Sequence, residues 1–202
     1  MITTPYSVSN QQFSDAAHRL AVKEIYPQVF RCDASAITIE SMYVHDGGIG
    51  AIYDGQMAID KIVSISVPDL KAPLCFTIQE RWLRPGNESF QSLTITEWNN
   101  NSNLPSELYK IKAGMFVFGY YDETENKMRR CIVVDTYKLL LGITTKAMKY
   151  KRYTNAKNQP FLAFKFTDLH AAGVVLWDSA HPAIQSHLIA GHRRASTSWR
   201  GC

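Results

Sequence analysis

The run Gly114 to Tyr121, GMFVFGYY, is apolar, aromatic and short, which suits a buried strand. Asp122 to Asn126 turns it into a further strand from Cys131 to Thr136. Upstream, Phe13 to Phe30 places Phe13, Ala17, Leu20 and Val22 to Ile25 near one face at helical spacing, with Ser14 available as a cap. That helix is expected to stop at Pro27. Ala36 to His45, the turn Asp46-Gly47-Gly48, and Ile49 to Ser66 broken at Asp54-Gly55 read as two or three antiparallel strands. Leu74 to Leu83 is another strand, and Phe90 to Trp98 its hairpin partner across Arg84-Pro85-Gly86-Asn87. Pro105-Ser106-Glu107 opens a helix through Lys112. Helix, strands, helix, strand, strand is the order of an α/β sandwich with a mixed central β-sheet flanked by helices.

With 202 residues, 46% of them hydrophobic and 20% charged, the chain can bury one sizeable core. A single domain over 1–190 is expected, with its core about 13–136, a basic C-terminal part over 146–190 and a flexible tail over 191–202. Met1 to Gln12 lacks the basic start and apolar run of a signal peptide, and no stretch nears the roughly 18 apolar residues of a membrane span. A soluble, cytoplasmic protein without a membrane partner is therefore expected. Cys32, Cys75, Cys131 and Cys202 are scattered and make no C-x-x-C pair, so reduced thiols are the reading. His181, His187 and His192 match no zinc spacing. Gly47-Gly48-Ile49-Gly50 lacks the Lys and following helix of a phosphate loop and reads as a hairpin turn.

Charge is divided along the chain. Residues 1–100 carry seven Lys/Arg against eleven Asp/Glu, and residues 101–202 carry fifteen against seven. An acidic half and a basic half suit a metal site joined to a polyanion-binding surface, although a solvated charged surface has the same composition. From Lys146 onward, Lys146, Lys149, Lys151, Arg152, Lys157 and Lys165 alternate with Tyr150, Tyr153 and Phe161. Such mixing suits phosphate contact and base or sugar packing, with a solvated helix and loop as the alternative.

Asp60 lies in the apolar stretch Met57 to Val63, where a carboxylate without compensation is costly to bury. On the strand Phe76 to Trp82, Thr77, Gln79 and Arg81 share one face and Phe76, Ile78, Glu80 and Trp82 the other. An acid on one strand, then an amide oxygen and a cation two residues apart on the next, suits phosphodiester hydrolysis. The oxygens hold a divalent cation, Mg2+ or Mn2+, and the side-chain cation stabilises charge in the transition state. Asp and Arg on adjacent strands also read as a buried ion pair. Glu97, Glu107, Lys110 and Lys112 read as surface charge or as groups at the site edge and on the DNA backbone, and Glu24 as a solvated partner of Lys23 or Arg19.

In this respect the chain resembles the PD-(D/E)XK nuclease superfamily, in a variant D…QxR form, from about Phe13 to Thr136. The resemblance implies a restriction-endonuclease-like core: a helix, an antiparallel hairpin bearing an Asp, a strand bearing (D/E)-x-K, then a helix and further strands. It puts Asp60 at the metal-binding Asp, Gln79 at the (D/E) position and Arg81 at the Lys position. Asp15 or His18 falls where some members add a ligand. Arg81 can stabilise charge but cannot serve as a general base. Gln79 leaves the site one negative charge short, and Glu80 serves instead if a bulge turns it inward.

The function expected is a metal-dependent endonuclease hydrolysing double-stranded DNA, of the restriction, homing or mobile-element kind. A homodimer supplies the second active site, and Lys110, Lys112, Lys146, Lys149, Lys151 and Arg152 are the candidate nucleic-acid contacts. The alternative is a non-catalytic nucleic-acid-binding module on the same fold. An unrelated small-molecule enzyme is less attractive, because the chain carries no G-x-S-x-G elbow or Cys-His signature.

Overall fold

A computed structural model describes residues 8–43, 48–68, 70–84, 86, 91–99 and 104–181. The elements run α1 (Val8–Glu24), α2 (Tyr26–Phe30), β1 (Ile37–Ser41), α3 (Gly48–Met57), β2 (Lys61–Ile65), β3 (Leu74–Leu83), β4 (Ser92–Thr96), β5 (Trp98–Asn99) and β6 (Leu104–Pro105). They continue with α4 (Glu107–Lys110), β7 (Met115–Asp122), β8 (Lys127–Asp135), α5 (Thr136–Thr144), β9 (Lys151–Thr154), β10 (Pro160–Lys165), α6 (Phe166–Ala171) and β11 (Val175–Asp178).

A mixed six-stranded sheet, ordered β1-β2-β3-β7-β8-β11, forms the centre. Strands β1, β2 and β3 pair antiparallel, β7 runs parallel to β3, and β8 and β11 return antiparallel. Every residue of β7 is buried, because both faces of the sheet are covered. On one face Phe13, Ala17, Leu20 and Ala21 of α1 and Tyr26 and Phe30 of α2 pack on Val63, Ile78, Trp82, Val117 and Val133. On the other, Phe116, Phe118, Ile132 and Val134 meet Leu93 and Ile95 of β4, Leu139 of α5, Leu162 and Phe164 of β10 and Leu169 of α6. The protein is thus mixed α/β, with a mixed central sheet flanked by helices. No helix among the described residues is long and apolar enough to cross a membrane.

Strand β3 coincides with the expected span and β7 lies within a residue of its own, whereas β8 starts at Lys127, four residues before Cys131, and ends at Asp135. Several local readings are corrected. The first helix starts at Val8, so Ser14 lies inside it rather than capping it. Pro27 opens α2 instead of ending the chain's helical course, since a proline in a first turn gives up no intrahelical donor. Residues 49–57 are helical, not strand or hairpin turn. Tyr53 and Met57, four apart, face the second core cluster, and this spacing outweighs the Asp54-Gly55 turn signal. The first turn of α3 needs Gly50, where a Cβ would stand 2.5 Å from the Tyr43 carbonyl oxygen.

Strand β4 is not the hairpin partner of β3. It joins a three-stranded sheet, β4-β10-β9, because both edges of β3 are claimed by β2 and β7 while β4 has only Leu93 and Ile95 to bury. The helix at 105–112 shrinks to α4. Residues beyond 146 contribute β9, β10, α6 and β11, so the core extends well past Thr136. Cys32, Cys75 and Cys131 are free thiols. His45, His187, His192, Cys202 and the expected tail 191–202 lie outside the described residues.

Gly119 of β7 faces Trp82 of β3, and a Cβ there would stand 2.7 Å from Trp82 Cζ3 and 2.9 Å from the Arg130 carbonyl oxygen. Gly119→Ala is expected to lower Tm by about 2–12 °C, as overpacking of a close-packed core costs about 1–3 kcal/mol. An unchanged melting curve would show that the indole can move aside freely.

Candidate active site

Strand β2 stops pairing with β3 at Lys61 opposite Ile78, yet β3 continues to Leu83 alongside β7. A notch opens where β3 loses its β2 neighbour, and its backbone donors need other partners. Asp60 supplies one: its Oδ2 accepts the Glu80 amide at 2.8 Å, while its own amide bonds to the Ile78 carbonyl. The acid therefore sits just before β2, not within it. Because the edge is open, side chains from both faces of β3 reach one cleft of about 710 Å³. Asp15, His18, Asp54, Asp60, Lys61, Gln79, Glu80, Arg81 and Glu107 all line it.

Gln11, Asp15 and His18 recur at helical spacing on one side of α1, which brings them to the cleft together. Asp15 Oδ1 accepts from Gln11 Nε2 at 3.0 Å and from the Tyr43 hydroxyl at 3.2 Å. His18 Nδ1 lies 2.8 Å from Glu80 Oε1. The Tyr26 hydroxyl donates to the same oxygen, and Trp82 Nε1 donates to Oε2 at 3.3 Å. Burial alone would raise Glu80, but hydrogen bonds and charge from His18, the Lys61 ammonium and Tyr26 outweigh it and hold the carboxyl below its usual value. Burial, reinforced by Glu80, keeps the Tyr26 phenol protonated to well above its ordinary pKa. An ionised carboxylate only accepts, so Nδ1 is the His18 atom that donates to Glu80, and Nε2 is the ring nitrogen not engaged by Glu80.

Glu80 thus fixes the orientation of the His18 ring. Strand β3 has no bulge in its registers with β2 and β7, so Glu80 is not turned toward Gln79 as the sequence reading allowed. Arg81 is also corrected. Its guanidinium pairs with Glu107 and donates to the Thr94 carbonyl and to Thr96 Oγ1, both at 3.1 Å. The ion pair expected with Asp60 is instead made with Glu107, which is therefore no surface charge.

Lys61 is the cation that sequence reasoning missed. It is only 4% exposed, reaches Ser41 Oγ at 3.0 Å and the Tyr43 hydroxyl at 3.4 Å, and shares the face of Glu80. Its burial inside Ile59-Asp60-Lys61-Ile62, opposite Ile78, is a consequence of register and could not be read from composition. Asp54 reaches the cleft because α3 is a helix where the turn signal Asp54-Gly55 suggests strands.

Burial pushes the Asp60 carboxyl well above the ordinary aspartate value. The Glu80, Asp54 and Glu107 carboxylates push the same way, opposed by the hydrogen bond from the Glu80 amide. A divalent cation is the natural counter to such a gathering of acids. Gln79 Oε1 is buried and lacks a hydrogen-bond partner, and Asp60 commits one carboxylate oxygen to the Glu80 amide. Among the described residues no three His, Cys, Asp or Glu side chains are gathered as a ligand set. A cation here would rest on Asp60, Gln79 and water, and Mg2+ commonly keeps several waters.

The candidate nucleic-acid contacts divide. Lys110 Nζ donates to the Gly55 carbonyl at 3.3 Å and ties α4 to α3, so it is not a free phosphate contact. Arg152 Nε donates to Glu97 Oε2 at 2.6 Å, and Glu97, 7% exposed, is likewise no surface charge. Lys112, Lys146, Lys149 and Lys151 are exposed. Glu24 is exposed, as expected. No protein-family model, no curated protein and no solved structure matches this chain.

Proposed function

We propose that this protein is a metal-dependent endonuclease of the PD-(D/E)XK, restriction-endonuclease-like class, hydrolysing DNA phosphodiester bonds. The observation that carries the reading is the notch at Asp60: a destabilised carboxylate and an orphaned Gln79 oxygen in one cleft with four further acids and a buried lysine. Element order supports it, since α1 precedes three antiparallel strands and a crossover to the parallel β7.

Asp60 and Gln79 would hold Mg2+ or Mn2+, which supplies charge neutralisation and a more acidic bound water. His18, fixed in one tautomer by Glu80, accepts the proton of the attacking water at Nε2. Lys61 takes the cation's part that the sequence assigned to Arg81, offsetting negative charge near Glu80 as the phosphorane develops. As a homodimer the protein would present two such sites. The binding-only reading, a nucleic-acid module on the same fold, has Arg81 on its side, because the QxR cation is consumed by Glu107.

Incubating plasmid and single-stranded phage DNA with Mg2+ or Mn2+, beside an EDTA control, tests the reading. Metal-dependent cleavage is expected, and Lys61→Met should reduce its rate roughly 10²-fold or more with DNA affinity retained. Binding without cleavage under either metal would favour the binding module.

A further inference from the structure

One face of the three-stranded sheet is buried through Leu93, Ile95, Leu162 and Phe164. Its outer face is open. Register places Lys151 and Tyr153 of β9 beside Ala163 and Phe161 of β10, which in turn lie beside Thr94 and Thr96 of β4. With Lys165, Asn155 and the wall formed by Tyr120 and Leu83, these residues enclose a groove of about 640 Å³. That size accommodates a nucleotide.

The groove differs in kind from the acidic cleft. Among the described residues no Asp or Glu lines it, and Lys151 and Lys165 make no ion pair there. Tyr153 is 46% exposed, and its ring stacks on Phe161 with centroids 5.6 Å apart and planes 26° from parallel. The pair is an aromatic platform with both ammonium groups on the same side of it along the strands. Groove and cleft are contiguous, because Arg81, Leu83 and Thr96 line both.

We infer that this groove binds single-stranded DNA, with one unpaired base stacked on Tyr153 and the backbone phosphates beside it met by Lys151 and Lys165. The inference rests on the nuclease reading for its choice of DNA and deepens it by naming the substrate form. Both faces of a base inside a duplex are covered by its neighbours, so only an unstacked base can use an aromatic face. A strand lying on β9 and β10 passes over the Arg81–Thr96 ridge into the cleft, which makes single-stranded or frayed DNA the substrate in place of continuous duplex. Arg81, locked by Glu107, then serves as the rigid ridge between the two sites.

The test is made on the full chain in EDTA, so that it does not depend on cleavage. Fluorescence anisotropy with a labelled single-stranded oligonucleotide and with the blunt duplex of the same sequence measures the preference. A 2-aminopurine placed along the single strand reports stacking directly. Single-stranded DNA is expected to bind more tightly than duplex, with 2-aminopurine emission quenched at one position. Tyr153→Ala should weaken binding about 5- to 150-fold and abolish the quench, while Tyr153→Phe should keep both. Lys151→Ala with Lys165→Ala should make the salt dependence shallower by about 0.7 per lysine.

Equal or tighter duplex binding, with Tyr153→Ala indistinguishable from wild type, overturns the inference. If such a protein still cleaves duplex DNA with Mg2+, the nuclease reading survives alone. If the quench and its loss in Tyr153→Ala are seen but no metal supports cleavage of any DNA, the groove stands and the nuclease reading falls.

Discussion

Asp60→Asn is expected to cut the rate of metal-dependent DNA cleavage by roughly 10³-fold or more while leaving the protein folded. The amide keeps an oxygen for the Glu80 backbone donor at the notch, so the local geometry survives. What disappears is a carboxylate whose ionisation burial opposes and whose neighbours are Glu80, Asp54 and Glu107. In metal-free buffer near neutral pH the variant should therefore melt above wild type. The sign follows from linkage: the folded-state pKa of Asp60 is raised, so the folded chain holds this proton more tightly than the unfolded chain. Wild-type stability from this group is present at low pH and is lost as pH rises through the raised value. The gap in Tm between variant and wild type should thus widen as pH climbs from about 4, and should shrink when Mg2+ is added to the wild type. Differential scanning calorimetry over a pH series measures it. A variant that unfolds, or a gap that narrows with rising pH, would show that the Asp60 carboxylate holds the notch together as an ion.

Arg81→Met is expected to have the opposite profile, with a large loss of stability and a modest effect on chemistry. The guanidinium satisfies Glu107, the Thr94 carbonyl and the Thr96 hydroxyl, joining β3 to β4 and α4. Its removal leaves Glu107, with only 14% of its side chain exposed, unpaired beside the acids of the cleft. Breaking a fully buried pair costs about 3–5 kcal/mol; this half-buried one should cost about 2–3 kcal/mol, lowering Tm by about 4–12 °C. Arg81→Met with Glu107→Leu should recover most of the loss, because no buried charge is then stranded. On the proposed mechanism, in which Lys61 and not Arg81 takes the cation's part, cleavage per folded molecule should stay within about tenfold of wild type. Full stability with abolished cleavage in Arg81→Met would return Arg81 to the chemistry and displace Lys61.

Some of this architecture was legible in the chain itself. The alternation of Phe76, Ile78, Glu80 and Trp82 against Thr77, Gln79 and Arg81 follows from a period of two. The structure keeps those faces, with Ile78 and Trp82 in one core cluster and Arg81 turned toward β4. The apolar run of β7 read as a buried strand for an equally local reason. The resemblance pointed to Asp15 or His18 on the first helix, and α1 brings both to the cleft. Asp60 stood out because a lone acid among Ile and Val residues needs a compensating partner.

Partner choice was not legible. Glu80 and Arg81 are neighbours in sequence, yet one is bound by α1 and α2 and the other by α4 and β4, because a strand sends successive side chains to opposite layers. Nothing local states which layer each will meet. The turn at Arg84-Pro85-Gly86 predicts a reversal but not the strand that the reversed chain will pair with, and the long-range contest between β4 and β7 for the edge of β3 was decided by buried area. The same contest left β3 unpaired beyond Ile78 on its β2 side, and that missing neighbour created the notch in which Asp60, Lys61, Gln79 and Glu80 meet. Residue types and their periods, then, determined the strands, their faces and the acid that stands out. Which charges neutralise one another, and that Lys61 rather than Arg81 is the buried cation beside Glu80, depended on tertiary register, since Coulomb and hydrogen-bond partners are set by distances between segments remote along the chain.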